Sequence, residues 1–210
     1  MLQDILDFFG RAICHQLEER SLHVDGKSLS ICARDTGIYI GIFSTHIYLH
    51  LVKRKVAVTI PTVKTSFFLL LFMVPLMIDG VGSYAHLFES TNARRLVTGI
   101  CFGWVLPYFV YPIVKGKSLE DTSRPVINRY IDLIVPILVS VCLGMVVFSG
   151  IIHYLVLNSF IVFMIIIWFS LFASFLFLGI SLLGLKWTLS SISSLIFLSL
   201  LSLLHQLIIS

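Results

Sequence analysis

Six long runs of apolar residues constrain the fold of this chain more than any other feature. They lie at residues 36–52, 60–78, 96–114, 131–152, 158–184 and 187–209. Each is close to the ~20 residues that an α-helix needs to cross the hydrocarbon core of a membrane. Only 12% of the 210 residues are charged, well below the roughly 25% usual in soluble domains. The sequence therefore predicts an all-α, polytopic transmembrane helical bundle with about six spans.

The segment before the first apolar run has a helical pattern of its own. Its apolar residues recur at spacings of three and four, at Leu2, Ile5, Leu6, Phe9, Ile13 and Leu17. This periodicity predicts an amphipathic helix that either lies in the membrane interface or packs on the bundle. Acidic residues stand where a signal peptide would have its basic start and apolar run, so we expect the segment to be retained.

We expect one integral membrane domain over residues 1–210. Its parts are an interfacial helix and motif loop at 1–35, three spans with a polar site at 36–114, and three apolar scaffold spans at 131–209. The connection at 115–129 contains glycine, proline and charges of both signs. It is predicted to be a solvated loop near anionic lipid headgroups.

Basic residues beside the spans indicate the orientation. With the Lys53-Arg54-Lys55 loop on the cytoplasmic side, that side carries nine of the fifteen lysines and arginines, and the opposite side carries six. Because short cytoplasmic loops are enriched in lysine and arginine, the sequence predicts a multi-pass protein of the plasma membrane with both termini outside. Membrane lipids are the expected partners. The chain has no basic soluble module that would favour nucleic acid.

Four short polar motifs interrupt the apolar pattern. They are Cys14-His15-Gln16, Arg20-Ser21, a stretch from Cys32 to Gly37, and a stretch from Glu89 to Arg95. The first three lie before or at the start of the first span, and the fourth follows the second span. Two crossings return the chain to the side it started from, so all four motifs are predicted to share one membrane face.

Two of these motifs carry metal-ligand chemistry. Cys14, His15, Cys32 and Asp35 offer two thiolates, an imidazole and a carboxylate, which is a donor set for tetrahedral zinc or another divalent metal. Adjacent residues of a helix cannot both point the same way, so Cys14 and His15 make this pattern less specific than two Cys-x-x-Cys pairs. A disulfide between Cys14 and Cys32 is an alternative on an extracytoplasmic face, and plain packing is a third.

Acids and arginines on the same face form a second candidate group. Ionisable groups at the membrane boundary are costly unless they are paired or face water, so Asp79 is a functional candidate, with an Asp-Gly turn as the structural alternative. On a helix, Glu89, Asn92 and Arg95 share one face, and Arg95 is therefore preferred to Arg94. An ion pair that closes the bundle is the alternative for Glu89 and Arg95. The predicted catalytic set is Asp79, Glu89, Asn92, Arg95, Arg34 and Arg20, in which the arginines could hold phosphate or carboxylate oxygens.

Two Gly-x-x-x-Gly pairs occur in the predicted spans. Gly37 and Gly41 lie in the first span, and Gly99 and Gly103 lie in the third. This spacing allows two helices to approach closely. We therefore expect a helix contact at these faces, with a homo-oligomer as one form that it could take.

The order of the motifs resembles a prokaryotic family of small polytopic membrane proteins that is classed as a domain of unknown function. The resemblance rests on Cys-His-Gln, Arg-Ser, Cys-Ala-Arg-x-Thr-Gly-Ile-Tyr-x-Gly, Asp-Gly and Glu-Ser-Thr-Asn-x-x-Arg-x-x-Thr-Gly, within residues 14–103. It implies the same site residues and brings no reaction with it. It also implies cysteine at the position of Asp35, and the acid found there favours metal or ion binding over redox exchange.

These features favour a membrane-embedded hydrolase or transferase that acts on a lipid or another amphiphile at the outer leaflet. A metal, a carboxylate base at Asp79 or Glu89, and anion-binding arginines would supply its chemistry. One alternative is a transporter or channel for an ion or small solute, which would use His46 and His50 near the far end of the first span. Another is a structural or assembly protein whose polar motifs are fully paired internally.

Overall fold

The computed structural model describes residues 1–115, 124–180 and 182–209. Residues 116–123, which include Lys117 and most of the predicted 115–129 loop, lie outside the described residues. The backbone contacts divide the chain into two compact units. The first unit comprises Met1–Cys32 and Gly150–Ser210, and the second comprises Ala33–Ser149.

The first unit consists of three helices and a β-hairpin. In chain order they are α1 (Leu2–Arg11), β1 (Ser21–Val24), β2 (Lys27–Cys32), α7 (Tyr154–Ala173) and α8 (Leu183–Ile209). One 3₁₀ turn, Glu18–Arg20, precedes β1, and another, Ser174–Phe177, follows α7. Within this unit α1 contacts α7, α8 and β2. It therefore holds the N-terminal segment on the apolar helices.

Helix α1 combines the two alternatives that the sequence left open. It ends at Arg11, so Ile13 and Leu17 of the predicted apolar face lie beyond it. Leu6 is buried at 5% exposure, whereas Leu2 and Ile5 remain 53% and 49% exposed. One side of the helix is thus packed within its unit, and the other keeps apolar side chains that suit a membrane interface.

The hairpin was not predicted, although the sequence carries its signal. Strands β1 and β2 are antiparallel, and Val24 pairs with Lys27 across the two-residue turn Asp25-Gly26. Both turn residues have positive φ values, 53° and 74°, as a type I′ hairpin turn requires. Asp-Gly is a preferred sequence for that turn. The hairpin was missed because it is short and lies between segments with a strong helical pattern.

The second unit is built on a central pair of helices. Its elements are α2 (Ala33–Lys53), β3 (Val58–Thr59), α3 (Val63–Leu71), α4 (Val74–Tyr84), α5 (Asn92–Lys115), β4 (Arg124–Pro125) and α6 (Ile131–Phe148). Helices α2 and α5 make the most extensive contact of the unit, and β3 pairs with β4 in parallel. The helix is interrupted between α3 and α4 because Pro75 has no N–H and its ring conflicts with the carbonyl of Leu71.

The two Gly-x-x-x-Gly pairs face each other inside the chain. A side chain on Gly37 would meet the backbone of Leu96, and one on Gly103 would meet the backbone of Ile38. Gly41 and Gly99 are enclosed in the same way by the facing helix. The close helix contact is therefore α2 against α5. These faces are occupied within one chain, and a homo-oligomer stays a prediction.

Five segments of the described chain are long and apolar enough to cross a membrane: Val63–Tyr84, Asn92–Lys115, Ile131–Phe148, Tyr154–Phe177 and Leu183–Ile208. They match the predicted second to sixth spans, with shifted ends. The predicted first span is helical as α2, 21 residues long, but it is not among these five. Its first turn contains Asp35 and its last turn contains Lys53. The helical membrane fold is confirmed, with a span count close to the predicted six.

Candidate functional site

The two N-terminal motifs with cysteine meet in the first unit. Cys14 follows the last turn of α1, where its N–H donates to the Gly10 carbonyl at 3.0 Å. Cys32 ends β2, and its N–H donates to the Cys14 sulfur at 3.2 Å. The two sulfur atoms lie within 4.8 Å of each other. Residues eighteen positions apart thus form a thiol pair, and the structure records both as thiols.

A glutamine holds the Cys14 loop on the hairpin. The Gln16 amide donates to the Asp7 carbonyl at 2.8 Å and to the Ser30 carbonyl at 3.0 Å. Gln16 has a φ of 55°, which turns the chain sharply after the cysteine. The Ser30 hydroxyl also donates to the Asp7 carboxylate at 2.5 Å. These bonds join α1, the loop and β2, and they fix the position of Cys14 beside Cys32.

The other two predicted metal ligands are His15 and Asp35. The exposed His15 ring packs edge-on against His205 of α8, with ring centroids 4.8 Å apart. This ring contact is the one that the structure gives for His15 among the residues that it describes, and its role as a ligand stays a prediction. Asp35 is half-buried in the first turn of α2, three residues after Cys32. Its role as a ligand stays a prediction from the sequence.

Asp79 is the centre of a polar cluster in the second unit. It lies in α4 and has 0% exposure. The Arg34 guanidinium of α2 reaches one carboxylate oxygen at 2.6 Å. Arg94 of α5 reaches the other oxygen at 3.1 Å, and the Ser90 hydroxyl donates to that oxygen at 2.6 Å. Three separate segments of the unit thus converge on one buried carboxylate, which we call the Asp79 cluster.

The geometry of the Asp79 cluster favours a structural role for its acid. Both oxygens are engaged by charged or hydroxyl donors, and the carboxylate has no exposed surface. A general base needs access to the proton that it removes. Arg94, which the sequence argument ranked below Arg95, pairs with Asp79 and lies over the Phe88 ring, 4.2 Å from its centroid. The catalytic role of Arg95 stays a prediction.

The remaining predicted residues of the acid and arginine group are dispersed. Arg95 is 8% exposed and donates to the Asn92 side chain at 3.1 Å. Glu89 is exposed. Arg20 lies in the first unit, in the 3₁₀ turn before β1, with its Nε 3.6 Å from Glu19. The structure therefore brings Arg34 and Asp79 together, and it pairs Asn92 with Arg95.

Sequence reasoning missed a second buried acid. Asp132 at the start of α6 is 2% exposed. It accepts from Lys53 and from the Tyr48 hydroxyl, each at 2.9 Å. The N–H groups of Asn128 and Arg129 also donate to it. The sequence signal that could have identified it is an acidic residue at the start of a long apolar run.

Comparison with known proteins identifies the family. The chain matches the family described as "Predicted membrane protein (DUF2085)" over residues 14–109. An uncharacterized protein of Methanothermobacter thermautotrophicus is 36% identical over 93 residues, which are 44% of this chain and 79% of that protein. The chain belongs to this family. An uncharacterized protein of Methanocaldococcus jannaschii is 32% identical over 101 residues, 48% of this chain.

The family match covers the thiol pair and the Asp79 cluster but ends within α5. In the Methanocaldococcus relative the match spans 63% of the protein, so the chain covers less than two thirds of it. No solved structure matches the chain. The family establishes a prokaryotic membrane protein of unknown function, and its description brings no reaction.

Proposed function

We propose that this family member binds a divalent, thiophilic metal ion through Cys14 and Cys32, and that the metal serves a hydrolase or transferase reaction on a lipid or another amphiphile. The observation that carries the proposal is the thiol pair. Two cysteines from separate motifs have sulfur atoms within 4.8 Å, and one sulfur accepts a backbone N–H. A hydrogen bond of this kind favours the thiolate, which is the form that binds metal.

The spacing of the sulfurs is compatible with a tetrahedral ion. With Zn–S bonds of about 2.3 Å, two thiolates on one zinc stand roughly 3.8 Å apart. Sulfurs within 4.8 Å need only small side-chain rotations to reach that spacing. Cys14 is 7% exposed and Cys32 is half-buried, so water has limited access to the pair. Asp35 is the further ligand that the sequence predicts.

The reaction class follows from the chemistry such a metal supplies. A zinc ion with an open position lowers the pKa of bound water and produces a nucleophile near neutral pH. Of the two acids that the sequence offers as the base, Asp79 is buried in ion pairs, whereas Glu89 is exposed. We therefore take Glu89 as the acid to test. A substrate drawn from the bilayer fits a protein composed mainly of apolar helices.

The test is the metal content of detergent-purified protein. We expect about one equivalent of zinc or a similar ion per wild-type chain, and loss of most of it in Cys14→Ser and Cys32→Ser. Cys142→Ser is the matched control, because Cys142 is an exposed thiol on α6. Asp35→Asn tests the predicted third ligand. Equal metal in all variants would end the proposal, as would a Cys14–Cys32 disulfide found by mass spectrometry of alkylated protein.

The reaction is tested on the same samples. Metal-loaded protein in vesicles of native lipids is assayed for released headgroups or acyl chains, before and after treatment with a chelator. We expect the turnover to disappear with the metal and to fall in Glu89→Gln. Turnover that survives chelation and the cysteine substitutions would refute a metal-dependent reaction, and metal binding without turnover would refute the reaction alone.

A further inference from the structure

A groove of about 730 Å³ opens in the second unit between α3, α5 and α6. Its walls are mainly apolar and include Phe68, Phe72, Trp104, Leu133, Ile134 and Ile137, and Thr65, Asn128 and Tyr130 also line it. Its volume falls within the roughly 300–1,000 Å³ of typical ligand sites. This groove, which we call the α3–α6 groove, shares no lining residue with the Asp79 cluster.

Two cations stand at the rim of the α3–α6 groove. Lys64 is the second residue of α3, and Arg129 lies two residues before α6. Both are exposed. Among the described residues, no ion pair is recorded for either side chain. The lining contains no acid, so within the described ranges the rim carries positive charge without an acidic partner.

The nearest acid on α6 cannot supply this compensation. Asp132 is buried and already accepts from Lys53, Tyr48 and two backbone N–H groups. Helix α3 adds to the positive field because its N-cap, Thr62, makes no side-chain capping bond. The N–H groups of its first turn therefore have no acceptor from the Thr62 side chain.

The position of the rim favours a lipid headgroup over a soluble anion as the ligand. Lys64 and Arg129 stand where the spans Val63–Tyr84 and Ile131–Phe148 begin, the depth at which lipid headgroups lie. The apolar walls continue from the rim along both spans. A soluble anion would bind the two cations but would not contact the apolar walls. A phospholipid would bind the cations through its phosphate and contact the walls through an acyl chain.

We propose that the α3–α6 groove binds one anionic phospholipid from the bilayer. Its phosphate lies between Lys64 and Arg129, because a guanidinium and an ammonium are suited to phosphate oxygens. One acyl chain runs along Phe68, Phe72 and Ile137. This lipid is a bound ligand, and the proposal holds whether or not the protein has the activity proposed above.

The test compares lipid retention in matched charge variants. Wild-type protein is reconstituted in vesicles of phosphatidylcholine with one fifth phosphatidylglycerol, extracted in mild detergent and analysed by native mass spectrometry. We expect one retained phosphatidylglycerol per chain. In Lys64→Gln with Arg129→Gln, retention should fall by about tenfold or more, since both partners of the phosphate are lost. The control is Arg54→Gln with Lys55→Gln, which removes the same charge from exposed residues outside the groove.

Two further experiments separate binding in the groove from nonspecific retention of lipid. Ile137→Trp fills the groove without changing charge, and it should also abolish retention. Excess inorganic phosphate should not displace the lipid, because phosphate cannot replace the acyl contacts. The proposal is overturned if phosphatidylcholine is retained equally, if the control pair loses as much lipid as the groove pair, or if free phosphate displaces the lipid completely.

Discussion

Replacing Asp79 by asparagine tests whether the Asp79 cluster is a structural clamp or a catalytic group. The substitution keeps the size of the side chain and removes the charge that faces Arg34 and Arg94. Removing one partner of a buried ion pair costs ~3–5 kcal/mol. Here the arginine side chains are 23% and 47% exposed, so water partly solvates the cations left behind. We therefore expect a loss of about 2–3 kcal/mol.

The loss should be visible as a lower melting temperature. For a protein of 150–250 residues, a loss of 1 kcal/mol in the free energy of unfolding lowers the Tm by roughly 2–4 °C. Asp79→Asn should therefore lower the Tm by about 5–10 °C. The assay is tryptophan fluorescence of detergent-purified protein during heating. Trp104 is a suitable reporter because it is 3% exposed and lies in the same unit.

A double-mutant cycle assigns the effect to the ion pairs. Arg34→Gln should cost more than Arg94→Gln, because the Arg34 contact is shorter and its side chain is less exposed. In the Asp79→Asn background, Arg34→Gln should have almost no further effect. If Asp79→Asn melts within about 1 °C of wild type while lipid turnover disappears, the clamp interpretation is refuted and Asp79 belongs to the chemistry.

Four further substitutions test other parts of the structure in the same melting assay. Gly103→Ala should destabilise strongly, because its Cβ would collide with the backbone of Ile38, whereas Gly184→Ala, which meets nothing within 4 Å, should be neutral or slightly stabilising. Asp132→Asn should lower the Tm by several degrees, since Lys53 would lose its carboxylate partner in a buried site. Gly26→Ala should cost about 1 kcal/mol, because its φ of 74° strains an L-residue.

The sequence predicted the helices well because their signal is strong and local. A run of about 20 apolar residues has few alternatives to a membrane helix, and each of the last five runs corresponds to such a segment. The ends were less well predicted. For example, α5 begins at Asn92, four residues before the apolar run, because polar residues can complete the first turn outside the hydrocarbon.

The partners of individual side chains were harder to predict because they depend on tertiary contacts. Spacing on a predicted helix placed Arg95 on the same face as Glu89, whereas in the structure Asp79 pairs with Arg94. The orientation of Asp79 on α4 decides which arginine pairs with it. Helical periodicity within α5 contains no information about α4. His15 was selected for its chemistry, but its ring packs against His205, 190 residues away in the chain.

We expect the thiol pair and the Asp79 cluster to serve different purposes. Both are assembled from polar motifs of the matched region. In the Asp79 cluster, the charged and hydroxyl donors engage both oxygens of the acid, which is the arrangement expected of a group that holds helices together. In the thiol pair, a backbone N–H donates to the Cys14 sulfur, and the two thiols are the ligands of the metal proposed above. We therefore expect substitutions in the Asp79 cluster to change stability first, and substitutions of the cysteines to change metal content first.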